Sequence, residues 1–160
     1  MKKFFALLLA MVLAMAGCGL LEAKEETFSK DGLTITLTNR FREYDATAEG
    51  YSVAYDSATV AVFAMQEQKA DFATMGLEPT LEEYAQLVIE ANDFDSTVSL
   101  DNNLVSFTYE GSNEGVTYTY LACVYETEEA YWLVQFACEA DKYENLQADI
   151  LKYAQSVIVA

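Results

Sequence analysis

Histidine is absent from all 160 residues. That gap removes the commonest general base, the usual partner of Ser and Cys nucleophiles, and the commonest transition-metal ligand. Ser–His and Cys–His catalysis cannot be assembled from this chain. Basic residues are scarce too: nine Lys and Arg stand against 26 Asp and Glu, a formal charge of −17. A surface of that sign repels phosphate backbones and anionic head groups alike, which excludes a nucleic-acid partner. It suits a soluble domain, or one that gathers cations. Proline occurs once, so the chain is no Pro-rich stalk. A glycine-rich phosphate cradle is also missing, since Gly111 and Gly115 bracket a hairpin-type turn. Apolar residues, by contrast, make up 52% of the chain, ample for a packed core.

The first 18 residues form a recognisable address. Lys2 and Lys3 give a positive start, Phe4 to Met15 carry no charge, and Ala16-Gly17 place small residues before Cys18. This is a secretory signal with a lipoprotein-type ending. It predicts cleavage after Gly17 and lipidation of Cys18, with the chain held to a membrane by that lipid. A plain signal peptide with an incidental cysteine, or a short uncleaved anchor, would use the same residues. The apolar run is 12 residues long, whereas a bilayer span needs roughly 20. Removing residues 1–17 leaves 143, with seven bases against 26 acids, a mature charge of −19. That length is one domain. The predicted organisation is a signal over 1–17, a tether over 18–26 and a single domain over 27–160.

Two cysteines remain. Cys123 and Cys138 lie in the apolar runs 118–125 and 131–138, joined by the polar turn Glu126-Thr127-Glu128-Glu129. A hairpin closed there pairs residues whose numbers sum to about 255–257, whereas these two sum to 261. The offset of four to six residues, at ~3.4 Å each, exceeds the reach of a disulfide. They are expected to be buried free thiols.

Leu33, Ile35 and Leu37 alternate with threonines after the Asp31-Gly32 turn, which predicts a half-buried strand. Tyr51 to Tyr55 and Thr59 to Met65 give two more. Thr80 and Glu83 form a capping box, and Leu81, Tyr84, Ala85, Val88 and Ala91 give the helix behind it one apolar face, ended by Asn92-Asp93. Val105 to Glu110, Val116 to Tyr125 and Ala130 to Glu139 read as an antiparallel meander. The last two of these strands are apolar on both faces, so both faces are expected to be covered. Asp141 opens a closing helix, with Glu144 at the capping-box position and Tyr143, Leu146, Ile150, Tyr153 and Val157 as its core stripe. Ser156 to Val159 either continues it or forms a closing strand. The expected fold is α+β: a central antiparallel sheet of about six strands with helices on both faces.

That order of motifs resembles the PsbP-like bacterial lipoproteins. The resemblance runs from the lipobox through Phe28-Ser29-Lys30-Asp31-Gly32-Leu33 and the helix Thr80-Leu81-Glu82-Glu83-Tyr84-Ala85. It continues through Tyr131-Trp132-Leu133-Val134 to Ser156-Val157, covering about residues 27–160. It implies an α/β/α sandwich, the fold of the photosystem II extrinsic subunit P. The family's named members bind other proteins: that photosystem subunit, and a nuclear import factor that binds a small GTPase. The photosystem subunits are linked to metal sites that use histidine, so with no histidine here no site residue carries over.

Two constellations could bind something. Asp93, Asp95 and Asp101, crowded by Asn92, Asn102 and Asn103, offer hard oxygen ligands to calcium. Their spacing matches no calcium loop, and turn chemistry accounts for the same residues, so no metal is expected. Tyr118, Tyr120, Tyr125, Tyr131 and Trp132 could make an aromatic platform, though packing under helices explains them as well. No two carboxylates are placed together in a pocket by the pattern, so no enzyme and no cofactor are expected. The sequence therefore points to a non-catalytic, lipid-anchored envelope domain facing outward, with the membrane and an envelope protein as its partners. The alternative is a small-ligand or cation-binding lipoprotein using the acidic loop or the aromatic strands.

Overall fold

Alternation and turn chemistry build most of the architecture, and edges that carry neither complete it. The computed structural model describes residues 23–160. Gly17 and Cys18 lie outside the described residues. Within them, ten strands form two antiparallel sheets. The larger has seven strands: β3 (Arg42–Glu43), β4 (Val53–Asp56), β5 (Ala61–Gln68), β6 (Ser99–Asp101), β7 (Leu104–Asn113), β8 (Val116–Glu126) and β9 (Ala130–Glu139). Its spatial order is β3-β4-β5-β9-β8-β7-β6. The smaller has the order β1-β2-β10, from β1 (Glu25–Lys30), β2 (Leu33–Thr38) and β10 (Ile158–Val159).

The fold class is as expected, while the strand count corrects the expected six. The extra strands are edges. β3 and β6 are two and three exposed residues, and β1 is mostly exposed, so none shows apolar alternation. β1 also starts at Glu25, two residues inside the stretch read as tether. The closing segment resolves as a strand, with Ile158 opposite Thr34.

The β8–β9 register is the one read from the turn. Tyr118 faces Glu139 and Glu126 faces Tyr131, a constant sum of 257. Thr127 fixes the turn, its hydroxyl accepting from the backbone N–H groups of Glu129 at 3.3 Å and Ala130 at 3.0 Å. Cys123 therefore faces Val134 and Cys138 faces Thr119, and both are buried free thiols.

Three helices cover the large sheet: α1 (Lys69–Thr74), α2 (Leu81–Ala91) and α3 (Tyr143–Gln155). α2 starts as its sequence dictates. Thr80 Oγ1 accepts from Glu83 N–H at 3.3 Å, and the Glu83 carboxylate accepts from Thr80 N–H at 2.8 Å. It ends at Asn92, whose side chain donates to Val88 O at 2.8 Å, with Asp93 at φ +54° beyond it. α3 does not start as expected. A 3-10 turn over Ala140–Lys142 leads straight out of β9, so Asp141 lies inside that turn and the helix has no side-chain cap.

Strand period 2 sends alternate residues of β9 into two separate cores. Tyr131, Leu133 and Ala137 join Phe63, Phe107, Tyr109 and Tyr120 beneath Tyr84, Ala85, Val88 and Ile89 of α2. Trp132, Val134, Phe136 and Cys138 meet Leu33, Ile35 and Leu37 of β2 and Ile150 and Ala154 of α3. Each large apolar side chain buried this way contributes roughly 1.5–3 kcal/mol. The two-sided burial expected of these strands holds.

Candidate functional site

A cleft of about 150 Å³ opens on the α2 face, between α1, α2 and strands β5 and β9. Its position follows from how α1 is tied down. The Lys69 N–H that starts the helix donates to Glu129 O at 2.8 Å, in the β8–β9 turn. The Lys69 ammonium pairs with Glu126 at 2.6 Å and lies 4.9 Å from the centre of the Tyr131 ring. Phe72 then packs edge-on to both Tyr84 and Tyr131, with ring centres 5.8 and 5.4 Å away. Gly76, at φ +75°, ends α1. Its N–H donates to Ala73 O at 3.0 Å while Leu77 N–H donates to Phe72 O at 3.0 Å. This is the Schellman arrangement, which brings the residue past the glycine back beside the last turn. Leu77 and Phe72 accordingly line the same cleft.

The walls are apolar, from Met65, Leu87, Val88 and Leu133, and the mouth is edged by Met75 and Leu77, 51% and 41% exposed. One charged group stands inside. Glu67, on β5, accepts a hydrogen bond from the Tyr84 hydroxyl at 2.6 Å. Burial pushes its carboxyl above the usual carboxylate range, the Tyr84 bond pulls it down, and the neighbouring Asp71 charge pushes it up again. Tyr84 is itself held well above the ordinary phenol value by burial and then by Glu67. Its ring stacks on Tyr131 at 4.6 Å, and the Tyr131 hydroxyl donates to Pro79 O. Sequence alone gave no sign of this cleft. Met65-Gln66-Glu67-Gln68 reads as the polar tail of a strand, and α1 is too short to show a period.

A larger depression, about 630 Å³ and wide open, lies between the β6–β7 turn and the end of α3, where Asn102, Asn103 and Gln155 edge it. Asn102 and Asn103 both have positive φ, at 49° and 62°, the geometry of a tight primed hairpin turn. Turn chemistry thus accounts for the asparagines. Asp93 follows α2, Asp95 lies in the next loop and Asp101 ends β6. Among the described residues no three carboxylate or thiol groups converge as a metal set.

The aromatic strand residues are not a platform. Tyr118, Tyr120 and Tyr131 are at most 8% exposed and Trp132 is fully buried, because helices cover both faces of β8 and β9. Tyr125 donates its hydroxyl to Ala154 O at 2.7 Å, beneath α3. That corrects the aromatic half of the ligand-binding alternative. The thiols are equally enclosed. Burial pushes Cys123 up to about 12 and Cys138 up to about 11. Neither is a nucleophile at neutral pH.

No family model and no curated relative matches the chain. Solved structures do. The solution structure of cyanobacterial PsbP from Synechocystis aligns over 92% of this chain and 98% of its own, at 15% identity and a TM-score of 0.53. The fold is PsbP-like. A crystal structure from Bacteroides thetaiotaomicron aligns over 81% of this chain and 45% of its own, at 10% identity and a TM-score of 0.55. LpqN, described as involved in cell envelope biogenesis of Mycobacterium tuberculosis, is looser. Its TM-score is 0.44 at 10% identity, over 88% of this chain and 92% of its own. At these identities the PsbP-like likeness defines architecture, and the chemistry has to come from the residues above. Among the described residues no helix is long and apolar enough to cross a membrane.

Proposed function

We propose that this protein is a lipid-anchored, non-catalytic binding module of the cell envelope, accessory to another envelope protein. Cys18 would carry the lipid after cleavage behind Gly17, and the PsbP-like domain would stand outside the cytoplasmic membrane. One observation carries the reading: among the described residues both thiols are sealed against the sheet, while an apolar cleft opens to solvent on an acidic domain. Both thiols are buried, and histidine is missing altogether. Surfaces of that kind recognise rather than transform.

Cross-linking intact envelopes and purifying the protein under denaturing conditions tests the partner. A stoichiometric envelope protein is the expected result. Recovery of no protein, together with a tightly held small molecule, would overturn the accessory reading. The anchor is tested separately. Two acyl chains hold a protein on a membrane stably, whereas a single chain binds only marginally. Cys18→Ala should leave unprocessed precursor, and normal cleavage and membrane retention of that variant would refute the lipobox.

A further inference from the structure

Glu67 is an anomaly in an apolar cleft. Glu67 is half-buried, and drawing a carboxylate even partly out of water is unfavourable unless a partner compensates. None of the ion pairs among the described residues involves Glu67, and the lysine nearest in sequence, Lys69, is committed to Glu126 and Tyr131. The carboxylate holds the one hydrogen bond from Tyr84 to Oε2, and a carboxylate accepts up to about four.

The walls around it suit an apolar guest. Phe72 and Tyr84, both nearly buried, line the cleft together with Met65 and the more exposed Met75. Methionine side chains adapt to irregular apolar bodies. Asp71, close enough to act on Glu67, adds negative potential beside it. An anion is repelled here. A bare divalent ion finds no set of three ligands. A neutral hydrocarbon would cover Glu67 and leave its charge uncompensated. Size sets the last limit, for an apolar cavity of ~150 Å³ takes up about one benzene ring.

We propose that the α1–α2 cleft binds a small organic cation, an amine on a single aromatic or branched-alkyl body. The ammonium donates to Glu67 while the apolar body lies between Phe72, Leu87 and the thioether of Met75. This rests on the binding-module reading, yet it concerns a different event from partner capture. Failure of one leaves the other standing: a protein partner can be recovered whether or not amines bind.

The test is an NMR titration of the purified mature protein with benzylamine, benzyl alcohol and benzoate. Benzylamine should shift amides of β5, α1 and α2, and should bind about tenfold tighter than benzyl alcohol, as a charge-assisted hydrogen bond implies. Benzoate should not bind. Glu67→Gln, close to isosteric, should bring amine and alcohol to about equal affinity. Met75→Ala, at an exposed position, should weaken both. The whole-domain charge would attract any cation, and Glu67→Gln separates that effect. Retention of the amine preference in Glu67→Gln, equal binding of amine and alcohol to the native protein, or shifts scattered over the acidic surface would each overturn the site.

Discussion

The two faces of the large sheet are built from alternate residues of the same strands, yet they are different materials. The face under β2 and α3 packs aliphatic side chains around scattered rings: Ile35, Leu37, Trp132, Phe136 and Ile150 are fully buried together. The face under α1 and α2 is aromatic and hydroxyl-rich. There Tyr109 donates to Gln135, whose amide reaches Tyr51 at 3.4 Å, and Phe94, Tyr109 and Tyr120 stack in succession. It is also incompletely covered, with Met65 and Leu87 only partly buried beside the cleft. At the centre of the layer under β2 and α3 close packing maximises burial, and its opening lies only at the rim, beside Leu104 and Ala154. The tyrosine-lined layer keeps polar groups and free volume in reserve. One face is packed shut at its centre, and the other keeps an open cleft.

If that division is right, truncations on the two faces differ sharply. Phe136→Ala should cost about 3–5 kcal/mol, since a fully buried ring leaves a cavity on removal. Leu87→Ala, beside an existing opening, should cost about 1 kcal/mol, because little new cavity is made. Urea denaturation of both variants measures this, and equal losses would erase the contrast. Thr80→Ala removes the capping box of α2 and should cost about 1 kcal/mol. Hydrogen exchange should then rise in α2 and leave α3 unchanged, whereas loss of protection in both would mean that the layers unfold as one.

Thiol chemistry probes the sheet from within. In the native protein at pH 8, Cys123 and Cys138 should resist a water-soluble alkylating reagent and react fully in urea. Cys123→Ala should cost about 1 kcal/mol as a small cavity. Rapid native alkylation, or a disulfide between the two, would contradict the strand register. The smallest effect belongs to Glu67. Its carboxyl titrates above the unfolded value, so the folded state binds more protons than the unfolded one in that window. Its contribution is present below the unfolded pKa and is lost as pH rises through the folded one. Glu67→Gln should therefore gain stability relative to the native protein on going from about pH 4 to pH 7. A pH-independent difference would show that Glu67 is not held in the cleft.

Much of the face under β2 and α3 was legible. Leu33, Ile35 and Leu37 announced their strand, and the Glu126–Glu129 turn fixed a register that put both cysteines out of reach of each other. The capping box at Thr80 was equally plain, because local hydrogen bonds have local signals. The cleft was not legible, since it exists only where α1, α2 and β5 converge. α1 is six residues ended by Gly76, β1 carries charged residues on an edge, and Glu67 belongs to a strand tail without alternation. None of these has a period long enough to read. Asp141 misled for a related reason: a cap signature needs a break before the helix, and β9 runs into α3 without one.

The small sheet imposes an order in time. β2 lies between its sequence neighbour β1 and the distant β10, and Thr36 N–H donates to Ser156 Oγ across 120 positions at 3.0 Å. Ala160 N–H reaches Gly32 O at 2.9 Å, where any side chain at Gly32 would stand 2.7 Å from the Ala160 oxygen. A ribosome making ~5–20 residues per second finishes β2 on the order of ten seconds before its second neighbour exists. During that interval one edge of an apolar strand has no mate, the condition under which strands find the wrong one. Assembly of this layer thus waits for the last residues of the domain, and the strand most exposed to mispairing is the one whose sequence is easiest to recognise.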